Sequence, residues 1–518
     1  MKLWKKLIIP LAVLVVLIAG LLIIKLLPDG NETEVPESTA SNPSSKEEPG
    51  LPTFSQADVA ELRISTPSGE SFTYVKGSGS AEEEIIWEYE DEKNPTAVFP
   101  LSQGAISSTV ATLISYSETS NIPDGMANLE EFGLDTPAYT VEILTAEGET
   151  RLISIGNLTF DESGVYCISD KSKAVSIVSK TKREACEKNI LDFLEKKIFS
   201  FVESDIEKVD LKRASDNLEL SAFFTSSDGD SAAAQVAEAT SGTEAAEIMY
   251  VSKLTEPLQV NGSGEFTTFL QTALTLTASE FLAVNPDDAE YMLDQPEYTL
   301  ISYTKEKGEI RVDFSKDTGG KYFAKTSLYP AVFTVETSSL SGIQMPLLSM
   351  VDVFLTYQMI ADVEKVEGSF PEGSFLLELD IPKDASPADE ESTVLLDGAD
   401  ARVKTGSSNS TYVSSLYASS ACMRFSGFDF EASPENNADV TIVITMKDGT
   451  GKRIELTKRD ESTYFVFLDG VYQGQLVSSD FLYKVGDTDL YGYGVWAMYQ
   501  KTLEAMAGAV DGVYKLEK

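Results

Sequence analysis

The chain has no histidine, three cysteines and, for its 518 residues, few basic side chains: 41 Lys and Arg against 83 Asp and Glu. Without histidine there is no Ser-His-Asp or Cys-His catalysis, no His-ligated zinc or haem, and no imidazole pH switch. Three cysteines are too few for a Cys-only zinc site or a disulfide framework. A net charge of −42 repels the phosphates of nucleic acid, so no nucleic-acid partner is expected. What is present suffices to fold. A hydrophobic content of 42 % and an aromatic content of 9 % exclude global disorder. The length suggests about three domains.

The N-terminus carries one long apolar run. Leu7 to Ile24 (LIIPLAVLVVLIAGLLII) holds no charge and follows Lys2, Lys5 and Lys6. Such a run is long enough to span a bilayer. Residues 1–27 are therefore expected to be a transmembrane signal-anchor that contacts the membrane through residues 7–27. The basic flank places the N-terminus in the cytoplasm and the bulk of the chain outside. A cleaved signal peptide is the alternative, but its apolar core is shorter and ends at a small-x-small site. Residues 28–53 are rich in Pro, Ser, Glu and Thr and should form a disordered, solvated stalk. Ser226 to Glu247 and Asp384 to Ser392 are low-complexity inserts expected to be exposed loops.

Comparing the chain with itself sets the architecture. Glu131-Phe-Gly-Leu-Asp-Thr-Pro-Ala-Tyr-Thr-Val141 aligns without a gap on Glu290-Tyr-Met-Leu-Asp-Gln-Pro-Glu-Tyr-Thr-Leu300. The shared positions include Leu134, Asp135, Pro137 and Tyr139 in one copy and Leu293, Asp294, Pro296 and Tyr298 in the other. Asp439 to Met446 and Thr463 to Val466 mark a fainter third copy. The copies start alike, at Asp58-Val-Ala-Glu-Leu62, Asp205-Ile-Glu-Lys-Val209 and Asp362-Val-Glu-Lys-Val366. This gives repeat 1 over 54–204, repeat 2 over 205–361 with its insert at 226–247, and a divergent repeat 3 over 362–518.

Each copy reads alike. A strand pair opens it and a helix follows, near 102–116, 264–276 and 410–421. Ile106, Val110, Leu113 and Ile114 share one stripe, as do Phe266, Phe269, Leu270, Ala273 and Leu274, and again Val413, Leu416 and Tyr417. After the Leu-Asp-x-Pro block, Tyr139, Val141 and Ile143 alternate with Thr140, Glu142 and Leu144 in the period of a half-buried strand. Gly148, Gly308 and Gly449 sit in the turns that follow, where positive φ is useful. The fold class is α+β: a transmembrane helix, then three tandem repeats, each mainly an antiparallel meander with one or two packed helices. Neither joint between copies carries a Pro/Gly/Ser-rich linker. Each copy is expected to hold its own core and to meet its neighbour at an ordered joint.

The E-[F/Y]-x-L-D-x-P-x-Y-T-[V/L] block, with its glycine turn and G-x-Y strand, resembles the bacterial domain-of-unknown-function family numbered 4340. The resemblance runs over about Val59 to Val202 and on through Ile206 to Val366; repeat 3 lacks the Leu-Asp pair. It implies a single-span membrane protein with a large outside portion, of a kind often encoded beside an ABC transporter permease and a gliding-motility-type auxiliary protein. The family has no established catalytic residues, and none are carried over.

Candidate sites are few. Asp135 and Asp294 read as turn caps rather than catalytic carboxylates, because one active site needs no duplicate. Ser179-Lys-Thr-Lys182 fits the S-x-x-K nucleophile motif, but S-x-N and K-T-G partners are not evident. Helix N-capping accounts for it and for Thr337-Ser338 and Ser478-Ser479 at the same point of the other copies. Cys167 stands where Phe323 and Phe465 stand, which indicates a core thiol; a Cys167–Cys186 disulfide is the alternative. Asp228-Gly-Asp230 and Asp487-Thr-Asp489 are the closest approaches to a calcium loop, and neither is complete. Tyr483, Tyr491, Tyr493, Trp496 and Tyr499 form either a contact surface or part of the last core. No cofactor or metal is expected.

These readings converge on a non-enzymatic, membrane-anchored, extracytoplasmic accessory or scaffold protein. Through the resemblance it is associated with an ABC-type transport complex, with a permease and auxiliary membrane proteins as partners. Two alternatives are a surface module for a glycan or wall polymer, and a carboxylate-based hydrolase.

Overall fold

A computed structural model describes residues 50–78, 85–94, 96–172, 174–226, 250–405, 411–486, 492–510 and 512–514. The expected anchor (1–27) and all but the last residues of the expected stalk (28–53) lie outside the described residues. Among the described residues, no helix is long and apolar enough to cross a membrane. The three large sheets belong to one compact unit, Leu51–Asp170 with Ala174–Lys518. The other unit, Met1–Gly50 with Lys171–Lys173, is almost wholly outside the described residues.

Alternating apolar residues and tight glycine turns produce antiparallel meanders. In repeat 2 one meander is Ile206–Arg213, Leu218–Ser226 and Tyr250–Glu256, extended by the short strand Val260–Asn261. The other is Tyr298–Thr304, Gly308–Phe314, Lys321–Thr326 and Tyr329–Glu336, with Glu280–Val284 at its edge. The first strands of the two meanders pair antiparallel, for example Leu211 with Leu300, and close a nine-stranded sheet. Repeat 3 has the same nine strands in the same order, centred on Val363–Phe370 against Val440–Met446. Repeat 1 has eight, centred on Val59–Ser65 against Tyr139–Thr145. The third copy, faint in sequence, is therefore complete in topology.

Two details recur in all three copies. Asp58, Asp205 and Asp362 each end a one-turn 3-10 helix. Their carbonyls accept from Ala146, Lys305 and Lys447 at 2.8, 3.0 and 2.8 Å. Directly after each, the central pairing slips by one residue, at Val59/Glu61, Ile206/Lys208 and Val363/Lys365. A bulge at one sheet position in each copy is an inherited bend, not a defect. Gly148, Gly308 and Gly449 take positive φ in the turns predicted for them.

The predicted helices are Gln103–Ile114, Phe266–Leu274 and Tyr412–Ala421, and the predicted apolar stripes are buried. Three points differ from the sequence reading. Each repeat opens with three strands, not two; the missed ones are Trp87–Asp91, Tyr250–Glu256 and Thr393–Leu396. Each lies beyond a polar loop that hides its pairing with the preceding strand. Both low-complexity inserts fall in sequence between the second and third strands, and Ser226 to Glu247 lies, but for Ser226, outside the described residues. The loop of repeat 3 is not simply exposed: Ser386 to Asp389 are half-buried and Ser392 is buried, its Oγ donating to Ser386 O at 2.8 Å. Finally, the repeats do not close separate cores. One continuous cluster of buried apolar residues runs through all three, with Phe99 of repeat 1 meeting Tyr329 of repeat 2 at 6.1 Å.

Candidate functional site

The joints between copies are built from backbone pairing. In repeat 2 the strand Thr275–Thr277, just past the helix, pairs with Lys197–Ser200, the segment leading in from repeat 1. In repeat 1 the same role falls to Thr53, which bridges Ser115. In repeat 3, Leu355 N–H donates to Met423 O at 2.8 Å and Phe425 N–H to Val353 O at 2.9 Å. Phe354 and Arg424 thus stand opposite each other across this ribbon.

Beside the repeat 2–repeat 3 ribbon is an open cleft of about 610 Å³, within the range of small-molecule sites. The joint contributes Phe354, Tyr357, Gln358, Met359 and Ile360; the repeat 3 helix and its end contribute Tyr417, Cys422, Met423 and Arg424; Phe481, Tyr493 and Pro387 close it. Tyr417 Oη donates to Gln358 O at 2.6 Å and Thr356 Oγ1 to Ala421 O at 2.8 Å, which fixes the joint to the helix end. Tyr357 and Met359 remain 64 % and 62 % exposed on the rim. The Arg424 guanidinium lies 4.8 Å from the centre of the Phe354 ring, whose face attracts a cation.

Among the described residues the lining holds no Asp, Glu or Lys. Its one thiol, Cys422, is pushed above the ordinary value by burial, whereas an activated thiol is pulled down by neighbouring positive charge. The described lining offers apolar surface and one guanidinium.

The aromatic residues singled out in the sequence serve mainly to pack the helix Val495–Gly508 on the sheet. Tyr499 is buried; Tyr483 and Trp496 are half-buried against Phe370, at 6.2 and 5.2 Å between ring centres. Trp496 also covers Gly373, where a Cβ would come within 3.1 Å of the indole. Tyr499 meets Phe375 at 5.2 Å, and its hydroxyl donates to Asp397 Oδ2 at 2.9 Å. Tyr493 alone reaches the cleft, and Tyr491 lies outside the described residues.

The repeated block is structural, though not through its aspartates. Leu134 and Leu293 are buried, and their N–H groups donate to Leu129 O and Asp288 O, both at 2.9 Å. The residue before each, Gly133 or Met292, is left-handed at φ 66° or 57°. In the first copy a Cβ would sit 2.6 Å from Asn157 Oδ1, so the exposed Asn157 side chain would have to move aside; in the second the Met292 side chain stands exposed. Asp135 and Asp294 are exposed, and among the described residues neither accepts a backbone N–H, which corrects the expected cap. Asp135 meets only the hydroxyl of the next residue, Thr136 Oγ1, at 3.5 Å. Pro137, Pro296 and Tyr139 are half-buried and Tyr298 is buried where the strand begins.

Lys182 of the S-x-x-K sequence is buried and does not face Ser179. Its Nζ donates to Thr112 O at 2.5 Å and to Ser115 O, at the end of the Gln103–Ile114 helix. Ser179 and Ser478 do accept from the N–H two residues on, at 3.4 and 3.2 Å. Thr337 departs from the capping expectation, because its hydroxyl donates to Asp317 instead. Cys167 and Cys186 are buried free thiols, both raised by burial, Cys167 to about 12. Asp228, Asp230, Asp487 and Asp489 lie outside the described residues, and among those described no group of three acidic or thiol side chains could hold a metal ion.

Sequence reasoning missed the cleft because its lining comes from five separated stretches of chain. One signal was available. Counted from the helix ends, Arg424 stands where repeats 1 and 2 have Ser117 and Thr277.

The fold is that of a tandem-repeat α+β protein, three copies of one antiparallel sheet sharing a core. Residues 87–296 match the family described as Domain of unknown function (DUF4340), as the repeated block suggested. The matched stretch runs from the third strand of repeat 1 to Pro296 of repeat 2, so it straddles the first joint and contains both Leu-Asp-x-Pro blocks. No curated protein and no solved structure matches the chain.

Proposed function

We propose that this chain is a non-enzymatic accessory or scaffold protein, held to a membrane by residues 7–27, with its three repeats outside the cytoplasm serving an ABC-type transport complex. The observation that carries the scaffold reading is the way the repeats are joined. Each joint segment pairs by backbone with the following repeat, as a strand at Lys197–Ser200 and as single bridges at Thr53 and Phe354, and one core runs through all three. Backbone pairing of this kind suits a protein that presents contact surfaces at fixed spacing. The anchor rests on the apolar run Leu7–Ile24 behind three lysines, and the ABC partner on the family resemblance alone. The packing of Tyr483, Trp496 and Tyr499 favours the scaffold reading over the glycan-binding alternative, which Tyr493 at the cleft still supports.

The test is affinity purification of the intact protein from membranes solubilised in a mild detergent. Recovery of a permease or auxiliary membrane subunit in stoichiometric amount supports the reading. A chain that comes down alone, or that turns over glycosides or peptides after stringent purification, overturns it.

A further inference from the structure

We propose that the cleft at the second joint binds an anionic amphiphile of low molecular mass, an aryl or alkyl body bearing one carboxylate, with Arg424 receiving the charge. Three observations point there independently of the scaffold reading. First, the chain has nine arginines, and eight of them pair with an Asp or Glu. Among the described residues Arg424 has no carboxylate partner, although acidic residues outnumber basic ones two to one. Second, it is exposed at the cleft and held over Phe354, and repeats 1 and 2 have only Ser117 and Thr277 at its position. A guanidinium presented by an aromatic ring keeps its hydrogen-bonding fork free for a planar oxyanion. Third, the described lining is aromatic and sulfur-containing and lacks acidic groups, so an apolar body can enter without bringing its charge against a carboxylate there. In a chain of charge −42, an anion finds here both an apolar wall and a cation that no carboxylate of the described residues neutralises.

The probe is 4-phenylbutanoate, compared with its neutral analogue 4-phenylbutanamide. Binding to the full chain in zwitterionic nanodiscs is measured by saturation-transfer NMR, with empty nanodiscs as the blank. The carboxylate should bind about tenfold more tightly than the amide, the effect of one charge-assisted pair. Arg424→Gln should abolish that difference and leave amide binding unchanged, while Arg424→Lys should keep part of it. Arg424 is exposed, so these variants are expected to fold, which unchanged circular dichroism would verify. Equal binding of the two probes to the wild type, full carboxylate preference in Arg424→Gln, or no binding of either above the blank overturns the proposal. None of these outcomes depends on whether a transporter subunit is recovered.

Discussion

Arg213 closes the first strand of repeat 2 and is buried. Its guanidinium divides its donors between two tasks. One amino group donates to Ile343 O at 3.1 Å and Met345 O at 2.8 Å, which ties the strand to a segment about 130 residues away. The Nε and the other amino group grip Asp216 at 2.8 and 2.7 Å. Asp216 is held below the usual carboxylate range, chiefly by the bond from Arg213, but its side chain is 51 % exposed. The two tasks should therefore differ in worth. Arg213→Met keeps the stem but leaves the two carbonyls without their charged donor, a loss of about 3 kcal/mol. Asp216→Asn disturbs an exposed pair, worth at most about 1 kcal/mol. The assay is amide hydrogen exchange of peptides covering Ile206–Arg213 and Leu340–Leu347. Arg213→Met should speed their opening about 100-fold and Asp216→Asn less than about tenfold, with Arg213→Lys between them. Equal effects of Arg213→Met and Asp216→Asn would refute the reasoning, because the salt bridge and not the carbonyl clamp would then carry the stability.

Three further outcomes are expected. At pH 8 a maleimide should modify Cys422 first and leave Cys167 and Cys186 untouched until unfolding, as peptide mapping would reveal; early loss of Cys167 would contradict its burial. Gly342→Ala should destabilise repeat 2 by about 2–3 kcal/mol in urea, because the new Cβ would sit 2.4 Å from the backbone oxygen of Thr268; an unchanged midpoint would mean that the two segments part easily. Asp460 is lowered from 3.8 to about 2 by bonds from Thr463 and Ser462, so its contribution is full above pH 3.8 and is lost as pH falls towards 2. The stability difference between wild type and Asp460→Asn should accordingly shrink over that window in acid titrations, and a constant difference would argue against those bonds.

The helices and the second meander of each repeat were legible because their signals are local. Ile106, Val110, Leu113 and Ile114 declare a buried stripe within one window, and Gly148, Gly308 and Gly449 mark turns that only positive φ can make. The third strand of each opening meander was not legible in the same way. Trp87 and Tyr89 do alternate with Glu88 and Glu90, but their partner strand lies across a polar loop whose length varies between copies. The role of Asp135 was misread, and the partners of Lys182 were not foreseen, for a related reason. A short motif states which groups are near in sequence, whereas Lys182 takes its partners about 70 residues upstream. The cleft was hidden most deeply, since Phe354, Arg424 and Phe481 meet only after a joint strand has paired across two copies.

The pairing of Lys197–Ser200 with Thr275–Thr277, and of Val353–Leu355 with Met423–Phe425, has a practical reading for anyone dissecting or shuffling the copies. The natural seam is not the Asp-Val or Asp-Ile start at which the sequence pattern renews itself. It lies several residues earlier, ahead of Lys197 and ahead of Val353. A fragment begun at Asp205 or Asp362 leaves its edge ribbon with its predecessor and exposes an unpaired strand, an invitation to aggregate. A fragment begun a few residues upstream carries its own ribbon, so its boundary is set by hydrogen bonds rather than by sequence similarity, while the shared core, as at Phe99 and Tyr329, still has to be covered.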